Sequence, residues 1–356
     1  MSRPPNLGFG AFLIGLGGGW LLFRALDITR NVFAWLVILA GAAIIASSLI
    51  SWKMPDINIG GIVGGLIGGL ILSLFITSGF SFFIGGFDFG TLGDYRASDT
   101  MSYSGVMTVD SVYLEVENFN GPIRVSTWEK SEYSIDVTIR ARGTTTREAE
   151  QNIEDYTIEF DESAVGGQDS IVLGYDIPAT WTSRYSVEVE AFLPREAFID
   201  LDLVSSNGAI SLTGITGETL TLRTSNGQIS LDDVYAESID AETSNARITG
   251  RFEAPDTSLS TSNGAIDLTL PCTVTGRYDL DTSNAAIDLE VSSSPDVGYS
   301  LNLSTSNGSV DFDLPNLGYT TNQRTRKVAK TTGFDAKEVQ ITITGSTSNS
   351  GVDVND

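Results

Sequence analysis

The residues in this chain that could do chemistry are carboxylates at a repeated spacing. Asp267, Asp288, Asp311 and Asp353 each stand four positions after an asparagine, in a column that reads Ser211, Ser230 and Thr249 in earlier copies. Stacked at strand spacing, two such charges repel by on the order of 0.8 kcal/mol per neighbouring pair in water. An acidic column of this kind invites a divalent cation or a basic partner. Asp267, Asp288 and Asp311 are therefore candidate calcium ligands, and calcium is the one cofactor the sequence suggests. The plainer reading of the same residues is a solvated acidic face.

Little other chemistry is available. Histidine is absent and Cys272 is the sole cysteine, which excludes an intramolecular disulfide, CxxC zinc sites and any catalysis that needs an imidazole. Cys272, within Leu270-Pro271-Cys272-Thr273-Val274, reads as a small buried strand residue rather than a reactive thiol. No catalytic residue is identified, and the chain reads as a non-enzyme. A calcium-dependent enzyme acting on acidic polysaccharide is a remote alternative that would rest on the acidic column alone. Periodic acids argue against it, because a catalytic site normally breaks the period.

The elements that hold the column are a repeat. A Ser-Asn pair recurs at Asn207, Asn226, Asn245, Asn263, Asn284, Asn307 and Asn349, at intervals of 19, 19, 18, 21, 23 and 42. The last interval reads as two rungs with one copy degraded, so eight rungs are expected over 201–354. Ile or Val stands three positions after every Asn, and Thr two before it in six of the seven copies. Apolar residues also recur six and four positions before the Asn and five after it, alternating with period two as half-buried strands do. The inward parity shifts by one residue at the Asn, as a corner between two strands requires. Gly208, Gly227, Gly264 and Gly308 follow the Asn and are expected to supply backbone freedom there.

An antiparallel meander is the rival geometry, because Asn-Gly is also a hairpin signal. Ala246, Ala285 and Ser350 replace the glycine in three copies, which favours an all-β, right-handed parallel β-solenoid-like stack with rungs of about 18–23 residues. In such a stack the Thr and Asn columns become structural ladders that bond to corner backbone and to each other. Residues 105–200 alternate less regularly, with a short helix expected near Thr146. They read as the amino-terminal cap, and Asn120-Gly121-Pro122 as a divergent first copy. Arg324, Arg326, Lys327, Lys330 and Lys337 form a basic cluster in the degenerate rung. It is expected to be a loop or hairpin leaving the stack, either offsetting the acidic column or touching an anionic envelope polymer.

Residues 1–87 are of a different kind. Apolar runs at 7–23, 32–50 and 59–84 are long enough to cross a bilayer as about three helices, and 88–104 reads as a linker to the repeat domain. Gly60, Gly61, Gly64, Gly65, Gly68 and Gly69 place small residues on one helix face. Such a face packs the spans together or drives self-association. The chain carries −24 overall, but 1–87 carries four bases against two acids, +2, which leaves −26 for the rest. A surface that negative repels nucleic acid. The bases flanking the spans divide equally between the two sides, so the positive-inside count is a tie. The acidity, the Ser/Thr richness and the sequons at Asn302 and Asn307 favour an extracytoplasmic repeat domain on a multi-pass cell-membrane anchor.

With these residues in view, the chain from about Gly105 to Val354 resembles the β-strand-repeat family of "putative adhesins", also called toast-rack domains. The resemblance is carried by the repeated TSNGxIxL element, the Glu148–Asp155 helix, and Leu193-Pro194-Arg195-Glu196-Ala197 leading into Leu201–Gly208. It implies a fold and no assigned activity. The membrane region, through Gly15–Phe23 and Phe33-Ala34-Trp35-Leu36, is similar to that of cell-envelope stress proteins. Two functions follow as expectations: a surface binding, adhesion or scaffolding module of the envelope, or an envelope stress sensor signalling through its spans.

Overall fold

In the computed structural model the described residues are 12–14, 17–18, 95–177 and 179–356. Of the first expected membrane span, 7–23, only 12–14 and 17–18 are among them, both helical, and the spans at 32–50 and 59–84 and the glycine face at Gly60–Gly69 lie outside them. Among the described residues no helix is long and apolar enough to cross a membrane. Residues 96–356 form one compact unit, nearly all β, in which 22 strands join in one mixed sheet network.

The amino-terminal part contains β1 (Tyr95–Val106), β2 (Ser111–Asn118), β3 (Ile123–Trp128), β4 (Glu132–Gly143), α1 (Thr146–Glu154), β5 (Thr157–Val165), β6 (Gln168–Asp176) and β7 (Tyr185–Pro194). Seven rungs follow, each a strand, a Ser-Asn corner and a second strand. They begin with β8 (Phe198–Ser205) and β9 (Ile210–Thr213), then β10 (Thr216–Thr224) and the first half of β11 (Ile229–Thr243). The second half of β11 pairs off with β12 (Ile248–Glu253), followed by β13 (Asp256–Thr261) with β14 (Ile266–Leu270) and β15 (Gly276–Thr282) with β16 (Ile287–Val291). Next comes β17 (Val297–Thr305) with β18 (Val310–Asp313), then a hairpin of β19 (Leu317–Gln323) and β20 (Arg326–Thr331), and finally β21 (Val339–Thr347) with β22 (Val352–Asn355).

Successive rungs pair in parallel, first strand on first strand and second on second. Leu220 aligns with Leu201 and Ile239, while Ile229 aligns with Ile210 and Ile248. The meander is thereby excluded for the repeats. The alternation does what period two demands: Ile210, Ile229, Ile248, Ile266, Ile287, Val310 and Val352 are all fully buried in one column. Burying each such side chain contributes roughly 1.5–3 kcal/mol. Asp233, with φ 51, and Gly214, with φ 67, occupy the equivalent position seven residues after the Asn in successive rungs. In β11 the register shifts at that point, where the chain passes from one ladder to the other.

The order of the rungs departs from the order of the sequence at both ends. The β21/β22 rung inserts between β15/β16 and β17/β18: Tyr278 aligns with Ile343, and Ile343 with Leu301. At the other end β2 lies between β6 and β8, and β3 between β7 and β9. The expectation of eight rungs over 201–354 is therefore corrected to seven. The long last interval holds no degraded rung. It holds the β19/β20 hairpin, which does not leave the stack but closes it, since β20 pairs antiparallel with β17. At the amino end β5 pairs antiparallel with β6, and β4 with β7. Solenoid ends expose core and strand edges; these antiparallel strands cover the end rungs and leave β5 and β19 as the outer edges of their ladder.

Two local expectations are refined. Residues 95–104, read as linker, lie within β1. The short helix is present, with Thr145 rather than Thr146 at its cap, its hydroxyl accepting from the Glu148 N–H at 3.1 Å.

Candidate binding surfaces

The Asn corner is built from two columns. In the inner one, hydroxyls of the residue two before each Asn tie adjacent rungs together. Thr224 Oγ1 donates to the Gly208 carbonyl at 3.0 Å and accepts from the Gly227 N–H at 3.1 Å. Thr243, Thr261, Thr282, Thr347 and Thr305 make the same donation to the corner carbonyl of the neighbouring rung, at 2.7–3.1 Å. The acceptance from the rung's own corner N–H recurs at Gly208, Gly264 and Gly308. These glycines do not have positive φ. Their constraint is space: a Cβ on Gly227 would fall 1.8 Å from the Gly208 carbonyl oxygen, and one on Gly264 1.7 Å from that of Ala246. The sequence-based reason, backbone freedom, is corrected to close stacking of corners.

The outer column is a chain of amides. Asn226 Nδ2 donates to Asn207 Oδ1, Asn245 to Asn226, Asn263 to Asn245, Asn284 to Asn263, Asn349 to Asn284 and Asn307 to Asn349, all at 2.6–2.8 Å. Every amide donates in the same direction, so the dipoles add along the stack and adjacent bonds polarise each other. Asn207 in turn donates to Asn120 at 2.7 Å, which makes eight residues in the run. Asn120 was legible only as part of a divergent copy, because its rung lacks the Thr-Ser preceding the Asn.

The acidic column is reordered by the rung insertion. Along the stack it runs Ser211, Ser230, Thr249, Asp267, Asp288, Asp353, Asp311. Asp353 separates Asp288 from Asp311, so the calcium set of Asp267, Asp288 and Asp311 does not form three consecutive neighbours. Among the described residues no group of three or more His, Cys, Asp or Glu side chains is arranged to hold a metal ion. A basic residue sits instead at each end of the acidic run. Arg247 lies 3.6 Å from Asp267, and Lys327 of the hairpin 2.9 Å from Asp311. The Lys327 ammonium holds Asp311 below the ordinary carboxyl range. Partial burial, followed by the charges of Asp267 and Asp353, pushes Asp288 up. Asp353 is raised by burial and by Asp311.

Three more of the basic cluster have local partners. Lys330 pairs with Asp335 at 2.9 Å, Arg326 donates to Asn302 Oδ1 at 3.4 Å, and Lys337 donates to the Pro295 carbonyl. Beside the hairpin, Asp279, Asp281, Asn302, Ser304, Arg326 and Ser346 line an open polar trough of about 470 Å³.

A cleft of about 220 Å³ lies at the amino-terminal end, among Met107, Asp110, Trp128, Lys130, Pro194 and Arg195. Trp128 stacks on Phe192 with centroids 5.3 Å apart, and the Lys130 ammonium sits 4.0 Å from the Trp128 ring. Glu129 pairs with Arg195 at 2.9 Å. The sequence did not mark this cleft, since its residues come from three separate loops with no common spacing. Cys272 is buried as expected, but outside a strand, in the irregular segment after β14 with φ 57. Burial pushes its thiol pKa up, which suits an inert side chain.

Comparison with known proteins adds the following. Residues 186–348 match the family model described as Toastrack DUF4097. A crystal structure named as a "putative cell adhesion protein" from Clostridium sporogenes is 8% identical, covering 72% of this chain and 99% of its own, with a TM-score of 0.34. A "putative adhesin" from Bacteroides fragilis is 11% identical, covering 72% and 97%, with a TM-score of 0.31. A "putative lipid binding protein" from Parabacteroides distasonis is 12% identical, covering 71% and 96%, with a TM-score of 0.35. No curated protein matches the chain.

Proposed function

We propose that this chain, whose residues 186–348 match the toast-rack family, is a non-catalytic binding and scaffolding module of the cell envelope. Its stack winds with the right-handed sense that parallel strand crossovers adopt in nearly all sheets, and its amino-terminal runs anchor it in a membrane with the repeat domain outside. The observation that carries the reading is the register. Parallel pairing turns one sequence position into a straight outward row of short polar and acidic side chains, from Ser211 to Asp311. Rows at one-strand spacing suit an extended or repetitive partner better than a single small molecule, which a pocket would enclose.

Two measurements test this. The full chain in detergent micelles is mixed with the insoluble envelope fraction of cells that express it. Retention that salt and soluble envelope polymer compete away supports the reading, and free passage through every envelope fraction refutes it. Protease added to intact cells should cut within 95–356; complete protection of that region, with cutting after lysis, refutes the external placement.

A further inference from the structure

The first-strand ladder ends in two hairpins of opposite charge, and both present an unpaired strand edge. At the amino end the β5/β6 hairpin, 157–176, contains Glu159, Asp161, Glu162, Asp169 and Asp176 and no Lys or Arg. Asp169 is buried and held by Thr108, which leaves Glu159, Asp161 and Glu162 as the exposed acids of β5. At the other end the β19/β20 hairpin, 317–331, contains no acid; its bases are Arg324 in the turn and Arg326, Lys327 and Lys330 on β20, of which Lys327 and Lys330 pair with Asp311 and Asp335 outside the hairpin. Among the described residues β5 pairs only with β6, and β19 only with β20. Both outer strands are exposed along most of their length.

From these facts we infer that a second copy of this chain is the partner of each end, β19 of one molecule pairing with β5 of the next to continue the ladder from molecule to molecule. The strand directions permit it. β5 runs opposite to the rung strands, and β19, antiparallel to β20, runs with them, so the new pair is antiparallel. The charges then select the pairing. Like edges repel: β5 against β5 sets carboxylates on carboxylates, and β19 against β19 brings two basic hairpins together. Unlike hairpins attract, the bases lying in the turn and on β20 behind the uncharged β19 edge, so a feature that ordinarily protects an edge from aggregation here disfavours the symmetric contacts and spares one heterologous contact.

A heterologous contact of this kind grows into an open chain of molecules unless its rotation closes a ring. The other ladder ends differently. β1 carries Arg96 and Asp99, with no net charge, and the Arg324 carbonyl already accepts from the Val310 N–H at the start of β18. The inference stands apart from any envelope ligand, since it needs only this chain.

The test uses the full chain in detergent micelles, half of it labelled with heavy nitrogen. A zero-length carbodiimide crosslinker joins lysine to carboxylate, and mass spectrometry identifies peptides that mix the two isotopes. Mixed-isotope links from the half-exposed Lys330 to Glu159, Asp161 or Glu162 are expected. So is a sedimentation profile that grows with concentration and collapses in about 1 M salt, where exposed charges are screened within a few ångströms. Glu159→Lys with Asp161→Lys should weaken self-association roughly tenfold. Adding Arg324→Glu with Lys330→Glu to the same chain should restore most of the loss. Unchanged melting temperatures confirm that both variants fold. Assembly that ignores both charge changes, as association through membrane spans would, overturns the proposal. So does the lack of mixed-isotope links between these two hairpins.

Discussion

Replacing Thr224 with valine keeps the shape of the side chain and removes its hydroxyl. The two bonds lost are those to the Gly208 carbonyl and from the Gly227 N–H, and both glycines are buried. Water cannot take over either group without opening the corner. A buried polar group left without a partner costs about 1–3 kcal/mol, whereas a satisfied bond contributes only about 1. Two stranded groups, partly relieved by relaxation, put the expected loss at about 2–4 kcal/mol. For a domain of this size that is a fall of roughly 4–16 °C in Tm. The assay is thermal or urea unfolding of Thr224→Val beside two controls. Thr224→Ser keeps the hydroxyl, in the role Ser205 plays for Gly208 at 2.9 Å, and should lose less than half as much. Thr249→Val removes an outward hydroxyl that meets only Gln228 at an exposed position, and should change stability by less than about 0.5 kcal/mol. If Thr224→Val costs no more than Thr249→Val, or no more than Thr224→Ser, the corner hydroxyls do not bind the rungs as argued.

Gly227→Ala should cost more than about 3 kcal/mol or prevent folding, because its Cβ meets the neighbouring backbone at 1.8 Å and no rotamer can relieve that. Ala285→Gly should cost less than about 1 kcal/mol, and equal losses in the two unfolding curves would contradict the close-stacking account. The insertion of the last rung is tested by paired cysteines: Asp281→Cys with Ser346→Cys, aligned on adjacent strands, should oxidise to a disulfide. Asp281→Cys with Ser304→Cys, two strands apart across Ser346, should not, since roughly 9.6 Å exceeds the reach of the bond; the opposite pattern on non-reducing gels restores the sequence order of rungs. Asp288 has a folded-state pKa above its ordinary value, so its contribution to stability is greatest below the ordinary carboxyl pKa and is lost as pH rises through the folded one. Asp288→Asn should therefore melt above the parent chain at neutral pH, and the gap should close as pH falls through the raised pKa; a gap that does not change with pH would remove the charge explanation.

Much of the repeat domain was legible because its signals are local. The Asn period marks the corners, the Ile or Val three positions later marks the inward column, and the change of parity at the Asn marks a bend between two strands. None of these depends on which rung lies beside which. The same locality explains the errors. Rungs with the same Thr-Ser-Asn corner are interchangeable as pairing partners, so spacing does not tell that β21/β22 lies between β15/β16 and β17/β18. The 42-residue interval looked like a missing copy because a hairpin and a rung can occupy similar lengths. The glycines after the Asn were given a conformational reason, since a lone sequence shows φ preferences and does not show the carbonyl of the next corner 1.6–1.9 Å from the position a Cβ would take.

By itself, then, the sequence determined which residues face inward, where each strand turns, and that the repeat domain is acidic without histidine or a second cysteine. Only the tertiary structure decided the neighbours across rungs. It placed Asp353 between Asp288 and Asp311, gave Lys327 to Asp311, brought Asn120 to Asn207, and put an acidic hairpin at one end of the ladder and a basic one at the other. The physical reason is that inward and outward faces follow from alternation within a few residues. The partner of a strand edge depends on which free edge the folding chain meets, and backbone hydrogen bonds are nearly blind to side-chain identity.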